Sequence, residues 1–393
     1  MKQGWQIKRI GEVASIVNGG TPSTSIPKYW DGGIEWLTPK DMGKLTCKYV
    51  SCGERTISQE GVDNSSAKIL PPYSVILSSR APIGYVAINT LPMSTNQGCK
   101  GLIPSKSITA EYLLYFLLKS TKLLNDLGTG ATFKELSGGK LGEILIPVPS
   151  ISEQQRIVAL LDAEFAKIDA LKANAEKNLQ NAKDLFQAAL KKELEPKEGW
   201  ITKTLGEVCD VQCGSTPLRS EPLFWENGTY PWFTVDDIRE QGRVITDTKQ
   251  KITKLAWDKL RVFPANSVLL CCTASVGEYA ITTIPLTSNQ QFNGLTIKKG
   301  IDITPMYLFH FASTLKEKLL KLSGKATIDF VSGTKVKSIE IAFPPVIDQQ
   351  SIVARLDVLN DKCKTLQANY EKTLSLCDDL KQSLLRKAFN GEI

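Results

Sequence analysis

The chain repeats itself. Gly4-Trp5 returns as Gly199-Trp200 and Gly11-Glu12-Val13 as Gly206-Glu207-Val208, both at an offset of 195. Thr21-Pro22 returns as Thr216-Pro217, and Trp30 as Trp225. Asn96-Gln97 and Gly101-Leu102 match Asn289-Gln290 and Gly294-Leu295 at an offset of 193. Ala131-Thr132 and Ala326-Thr327 restore the offset of 195, which holds through Gln154-Gln155 and Gln349-Gln350. Solenoid units are about 20–50 residues long, so this period belongs to a duplicated domain, and the small changes of offset are loop insertions and deletions. A length of 393 residues lets two such domains each bury a core. The chain stops close to where a third copy would begin, so its two ends are expected near each other.

Within each copy the texture changes once. About 145 residues mix short β-rich runs, such as Ser74-Val75-Ile76-Leu77 and Ser267-Val268-Leu269-Leu270, with Gly and Pro. One amphipathic helix is expected inside each, at 111–122 and 305–322. Residues 151–195 and 346–390 then lose Gly and Pro almost entirely and read as long helices, with Ser152 and Asp348 as N-caps. Their apolar residues recur at +4, +3 spacing, the mark of a coiled-coil seam. The expected seam is Leu161, Ile168, Leu171, Leu179 and Leu185 on the first helix. On the second it is Leu356, Cys363, Leu366, Tyr370, Leu374 and Leu380. Large residues on one helix fall where the other has small ones (Tyr370 against Ala175), which suits helices packed on each other; two independent core helices would also give the stripe. Some 42 helical residues at about 1.5 Å each make a rod of about 60 Å.

Composition narrows the function classes. The net charge of +7 and pI of about 8.8 suit a nucleic-acid partner without requiring one. No apolar run is long enough to span a membrane and no signal peptide is expected. Nine scattered cysteines are unlike a disulfide framework, so a reducing cytoplasm is the expected setting. The single histidine, His310, stands where the first copy has Tyr115 and is expected to pack in an apolar helix.

Three sets of motifs occur in the same order twice. The opening runs Trp5, Gly11-Glu12-Val13, Gly19-Gly20-Thr21-Pro22-Ser23 and Tyr29-Trp30. The middle has Ser79-Arg80-Ala81-Pro82-Ile83-Gly84 with Asn96-Gln97-Gly98, and Ile146-Pro147-Val148-Pro149 leads into Ser152-Glu153-Gln154-Gln155-Arg156. The second copy departs at Thr273-Ala274-Ser275, where Arg80 has no equivalent, and at Asp348 for Glu153. This order resembles the specificity subunit of Type I restriction-modification enzymes over the whole chain. The resemblance implies an α+β fold: two similar target-recognition domains (1–150 and 196–345) and two helical spacers (151–195 and 346–393). The spacers would form an antiparallel coiled coil, giving a pseudo-two-fold internal repeat. It further implies a non-enzymatic subunit in which each domain reads one half of an asymmetric, bipartite double-stranded DNA site. The helices would set the gap and dock two methyltransferase subunits, and restriction/translocase subunits would join the complex. S-adenosylmethionine, ATP and Mg would then be cofactors of the partner subunits, with none held by this chain.

Contacts to DNA call for Lys and Arg at phosphates, and for Arg, Lys, Asn or Gln at base edges. The candidates are Lys28, Lys40, Lys44, Arg80, Lys100 and Lys134 in the first domain. In the second they are Arg219, Arg239, Arg243, Asn293 and Lys325. Segments 23–33 and 44–70 share little with 218–228 and 240–262, as two different readers require. The duplicated tryptophans Trp5/Trp200, Trp30/Trp225 and Trp36/Trp232 are expected to be scaffold. Leu70-Pro71-Pro72-Tyr73 is similar to an adenine methyltransferase motif, but leucine cannot accept the target amine's hydrogen bond, so a turn is expected. Asp184 with Glu195-Pro196-Lys197 has loose nuclease spacing across a helix and linker and reads as chance. Cys209, Cys213, Cys271 and Cys272 are expected to be buried thiols, because their repeat equivalents are not metal ligands. No phosphate-binding Gly-x-x-x-x-Gly-Lys-Ser/Thr loop is present. Other readings remain: a stand-alone nuclease or methyltransferase, a recognition subunit serving a methyltransferase alone, and a coiled-coil adaptor that binds only proteins.

Overall fold

A computed structural model describes residues 4–130, 134–323 and 330–393. By contacts the chain divides into Met1–Glu176 with Glu371–Ile393, and Lys177–Tyr370, so the division runs through both long helices.

The first unit is built on a five-stranded sheet. It uses β2 (Ala14–Asn18), β4 (Tyr49–Val50), β6 (Val75–Ser79), β7 (Ile83–Asn89) and β9 (Cys99–Pro104), after a short β1 (Gln6–Arg9). The order is β2-β9-β6-β7-β4, antiparallel except for the β7–β4 pair. A three-stranded sheet, β5 (Arg55–Ile57), β3 (Trp30–Leu37) and β8 (Met93–Thr95), lies beside it, and β1 pairs with β10 (Leu145–Val148). Every residue of β6 is buried. Successive side chains of a strand point to opposite faces, and here both faces are covered. Val75 and Leu77 join the core beneath the helix Ala110–Lys119, whereas Ile76 packs with Leu37, Leu70 and Met93.

The second unit repeats this order. Its five-stranded sheet runs Cys209–Cys213, Phe292–Ile297, Val268–Cys271, Tyr279–Thr282, Val244–Ile245. Its three-stranded sheet runs Gln250–Ile252, Tyr230–Phe233, Thr287–Ser288, and Ile201–Thr204 pairs with Glu340–Phe343. Val268 and Leu270 face one core, Leu269 and Cys271 the other. The single helix expected inside each copy is broken in two, as Ala110–Lys119 with Thr121–Leu127 and as Pro305–Ser313 with Lys316–Ser323.

Two long helices, Ile151–Glu193 and Val346–Asn390, contribute to both units. The expected N-caps, Ser152 and Asp348, fall just inside them; the Ser150 hydroxyl accepts from the Glu153 N–H at 3.4 Å instead. In the first unit Lys172 pairs with Asp378 at 2.8 Å and Asp169 with Lys381 at 2.5 Å, while Arg156 donates to the Ile393 carbonyl at 2.8 Å. Numbers rise on one helix as they fall on the other, so the pairing is antiparallel. In the second unit Arg355 meets Glu193 at 2.7 Å. Each unit's core takes in the far end of the partner helix. Leu385, Ala388 and Phe389 pack with Ile157, Leu161 and Tyr112, and Leu190 packs with Ile352 and Leu356. Trp5 and Ile393 lie against the same core, so the first unit holds both ends of the chain.

The buried stripe departs from the expected seam. Leu161, Ile168, Leu356 and Cys363 are buried, and Leu179, Tyr370 and Leu374 are half-buried. Leu171 and Leu185 are 56% and 50% exposed, and Leu366 and Leu380 are 41% and 48% exposed. The seam passes instead through the next residues, Lys172, Phe186, Gln367 and Lys381, all partly buried. One residue is a rotation of about 100° around a helix. Aliphatic stems at these positions cover the seam, while the preceding leucines are turned outward.

Two duplicated polar contacts fasten each long helix to the loops and helices of the domain it leaves. Gln154, fully buried, accepts from the Thr109 N–H at 2.9 Å and donates to the Ser107 and Pro149 carbonyls, both at 2.9 Å. Gln349 does the same with Thr304, Asp302 and Pro344 at 2.8, 2.7 and 2.8 Å. Similarly, the Tyr115 hydroxyl donates to Asp162, and His310 Nε2 lies 2.9 Å from Asp357 Oδ1. His310 therefore does more than pack: it bonds the long helix. Burial pushes its pKa down from 6.5, outweighing the opposite pull of Asp357.

Gln154→Ala strips three backbone groups, one buried and two part-buried, of their partner, and we expect it to lower unfolding free energy by about 2–4 kcal/mol, read by urea denaturation. For His310, the unfolded chain takes up its proton first as pH falls below 6.5. Its contribution to stability is thus present above that pH and lost on acidification. His310→Tyr, which installs the first unit's residue, should flatten the fall in melting temperature between about pH 7.5 and about pH 5.5. Parallel pH profiles for the variant and the parent would contradict this.

Candidate nucleic-acid interface

The opening and middle motifs of each copy fold against one another. A Cβ on Gly19 would lie 1.9 Å from the Asn96 carbonyl oxygen, and one on Gly214 would lie 2.4 Å from that of Asn289, so only glycine fits. The Thr21 hydroxyl donates to Gln97 Oε1, and the Thr216 hydroxyl to Gln290 Oε1. Trp36 Nε1 donates to the Gly20 carbonyl at 3.0 Å and Trp30 Nε1 to that of Ser23 at 3.1 Å. Trp232 and Trp225 donate to the Ser215 and Leu218 carbonyls at 3.3 and 3.0 Å. The tryptophans of each pair meet edge to face, with centroids 5.1 Å apart in the first unit and 5.0 Å in the second. These duplicated residues brace the loops that carry the divergent segments.

Most candidate cations on those loops already have an anionic partner. Lys28 pairs with Glu60, and Lys40 and Lys44 share Glu54 at 3.3 and 3.1 Å, holding its carboxyl below the usual range. Arg80 and Lys100 share Glu135 at 3.8 and 3.6 Å. Lys134, beside Glu135, is exposed. In the second unit Arg239 meets Asp236 at 2.9 Å. Arg243 meets Glu278 at 2.9 Å, with its guanidinium 4.1 Å from the centroid of Tyr279. Apart from the buried Lys100, these are exposed or half-exposed pairs, which are worth about 0–1 kcal/mol, so a phosphate can take over those cations at little cost.

Two candidates sit differently from the expectation of surface contacts. Lys100 and Asn293 are only 6% and 4% exposed. They occupy the same position in equivalent strands, facing Leu77 in one sheet and Leu270 in the other. Alternation along a strand turns that position inward. Lys325 lies outside the described residues. Arg219 lies 3.9 Å above Trp225 and 4.6 Å from Trp232, and donates to Gln250 Oε1 at 2.9 Å. Arg55, which sequence reasoning passed over, lies 3.6 Å above Trp30. Its strand brings it opposite Trp36, a neighbourhood that no linear motif discloses.

The remaining groups singled out in the sequence have structural surroundings. Leu70 is buried in a bridge to Met93, ahead of strand β6, and Asp184 accepts from Gln180 on its own helix at 2.8 Å. Cys209, Cys271 and Cys272 are buried as expected, and Cys213, at a strand end, is exposed. Burial pushes the Cys209 and Cys272 thiols up to about 12, so they stay protonated. No cluster of three or more metal-ligating side chains occurs among the described residues. No helix there is long and apolar enough to cross a membrane. The units differ at one charged cluster: Arg80, Lys100 and Glu135 correspond to Thr273, Asn293 and Phe330, the last 54% exposed.

Comparison with known proteins agrees with this arrangement. The family model for the Type I restriction modification DNA specificity domain matches residues 2–181 and again 197–375. The MjaIX specificity subunit of Methanocaldococcus jannaschii is 30% identical over 99% of this chain and 93% of its own length. The StySPI specificity subunit of Salmonella potsdam is 25% identical over 100% of this chain and 90% of its own. A solved chain from a type I R-M system, covering 100% of this chain and 99% of its own, shares the fold with a TM-score of 0.82 at 21% identity. The HsdS subunit of Thermoanaerobacter tengcongensis does so at 0.61 and 20% identity, over 100% of this chain and 98% of its own. Two matches to one family model, spanning nearly all of a chain built as a structural duplication, place it: the chain belongs to the Type I restriction modification DNA specificity family.

Proposed function

We propose that the chain is the non-catalytic, sequence-reading subunit of a cytoplasmic Type I restriction-modification complex. Each unit reads one half of an asymmetric, bipartite duplex site, and the paired helices fix the gap between halves. The observation that carries this reading is one scaffold used twice with chemically different loops. The Arg80–Lys100–Glu135 cluster of one unit is replaced by Thr273, Asn293 and Phe330 in the other. A single chain thereby supplies two unlike readers, so the target need not be palindromic. Transfer of methyl groups and cleavage fall to partner subunits, which would carry S-adenosylmethionine, ATP and Mg.

The outward leucines supply docking points. Leu171 and Leu380 in the first unit each precede a seam residue, and the ion pairs of Asp169 and Lys172 set them at one level. Leu366 and Leu185 hold the equivalent positions in the second unit. Half-exposed leucine pairs flanking a coiled coil are the apolar centre that a further helix needs. Each pair takes one methyltransferase subunit.

Co-expression with the adenine methyltransferase subunit of the same system, followed by mapping of N6-methyladenine across host DNA, tests the function. One bipartite, asymmetric motif that vanishes without this chain is the expected result. Methylation unchanged in its absence would point to a protein adaptor instead. For docking, Leu171→Glu with Leu380→Glu should leave one methyltransferase subunit per chain in native mass spectrometry. Full occupancy by that variant would refute the assignment.

A further inference from the structure

The exchange of arginines between the two units carries a second conclusion, which rests on the DNA-reading function proposed above. In both units a guanidinium covers the first tryptophan of the edge-to-face pair: Arg55 on Trp30 at 3.6 Å, and Arg219 on Trp225 at 3.9 Å. The two arginines are not repeat equivalents. Arg55 lies opposite Trp36 in its strand pair, the place held in the second unit by Gln250, opposite Trp232. Arg219 falls two residues after the Thr-Pro motif, where the first unit has Thr24. The supplier has changed while the guanidinium has stayed, and Gln250 now accepts a hydrogen bond from Arg219 at 2.9 Å.

Electrostatics sets these two apart from most of the other candidates. Lys28, Lys40, Lys44, Arg80, Lys100, Arg239 and Arg243 each face a carboxylate. Arg55 and Arg219 make no ion pair among the described residues, and both are exposed. An aromatic face attracts a cation without cancelling its charge, and it holds the planar fork with N–H groups left over for an anion, Arg219 spending one of its five on the neutral Gln250. Readers of different half-sites share this feature while their loops diverge, so it cannot encode different bases. We infer that Arg55 and Arg219 are the shared phosphate clamps of the two recognition domains, each held against the DNA backbone by its tryptophan pair.

The test uses the full chain assembled with its methyltransferase subunit. Fluorescence anisotropy is recorded with a labelled duplex carrying the mapped motif and with one in which the motif is scrambled, across a salt titration. Arg55→Gln should weaken binding to both duplexes about tenfold and reduce the salt slope by about one. Adding Thr24→Arg, which rebuilds the second unit's arrangement in the first, should bring affinity back to within about threefold of the parent. Arg219→Gln should behave as Arg55→Gln does, with melting temperatures unchanged throughout. Parent-like binding by both variants overturns the inference, and so does a loss confined to the matched duplex, which would mean base reading. A loss that comes with a lowered melting temperature and is not repaired by Thr24→Arg means packing alone, and also overturns it. An unmutated assembly with no salt-dependent duplex binding would bring down the proposed function as well, which separates the two failures.

Discussion

Neither unit can close its core from its sheets alone. The first needs Leu385, Ala388 and Phe389 from the end of the second long helix, with Phe389 4.9 Å from Tyr112 and 5.4 Å from Phe116. The second needs Leu190 and Phe186 from the end of the first. Burying a side chain of this size is worth about 1.5–3 kcal/mol. The long helices are thus walls of the domains as much as connections between them. Buried Gln154 and Gln349 stiffen the same junctions by satisfying backbone groups that loops would otherwise leave bare in the interior.

Anchoring of this kind leaves the loops of each domain open to variation. Glycines pressed against backbone carbonyls and tryptophans bonded to loop carbonyls fix where the segments near Thr21 and Thr216 leave the scaffold. What those segments carry is then open to change. Elsewhere on the scaffold one unit has an acid shared between two lysines, and the other a guanidinium–tyrosine contact. Function belongs to such loops, and the fold only sets their positions.

Tyr115–Asp162 and His310–Asp357 illustrate how far duplication tolerates drift. Each pair links a recognition-domain helix to a long helix, one through a phenol and the other through an imidazole. Geometry is kept while acid–base behaviour is not: burial pushes the tyrosine up, out of reach, and the histidine down. The phenol therefore stays protonated, and the imidazole is the member of the two ties that mild acid is expected to reach.

Much was legible in the sequence because it depends on local pattern. The repeat, the switch from β-rich to helical texture and the scaffold role of paired tryptophans all follow from spacing and composition. The seam was legible only approximately. Leu171, Leu185, Leu366 and Leu380 have the right hydrophobicity, but the partly buried stems of Lys172 and Lys381 take the seam positions beside them. Hydropathy does not register this. The candidate cations were legible as residue types and not as environments. Lys100 and Asn293 turn inward through strand register, and Arg55 meets Trp30 only because β5 pairs with β3. Sequence by itself determined that one fold occurs twice and is joined by long helices, since periodicity is a property of the chain. Which charges are compensated, which leucines face outward and which arginine covers which tryptophan were decided by tertiary structure, because those contacts join residues that no period relates.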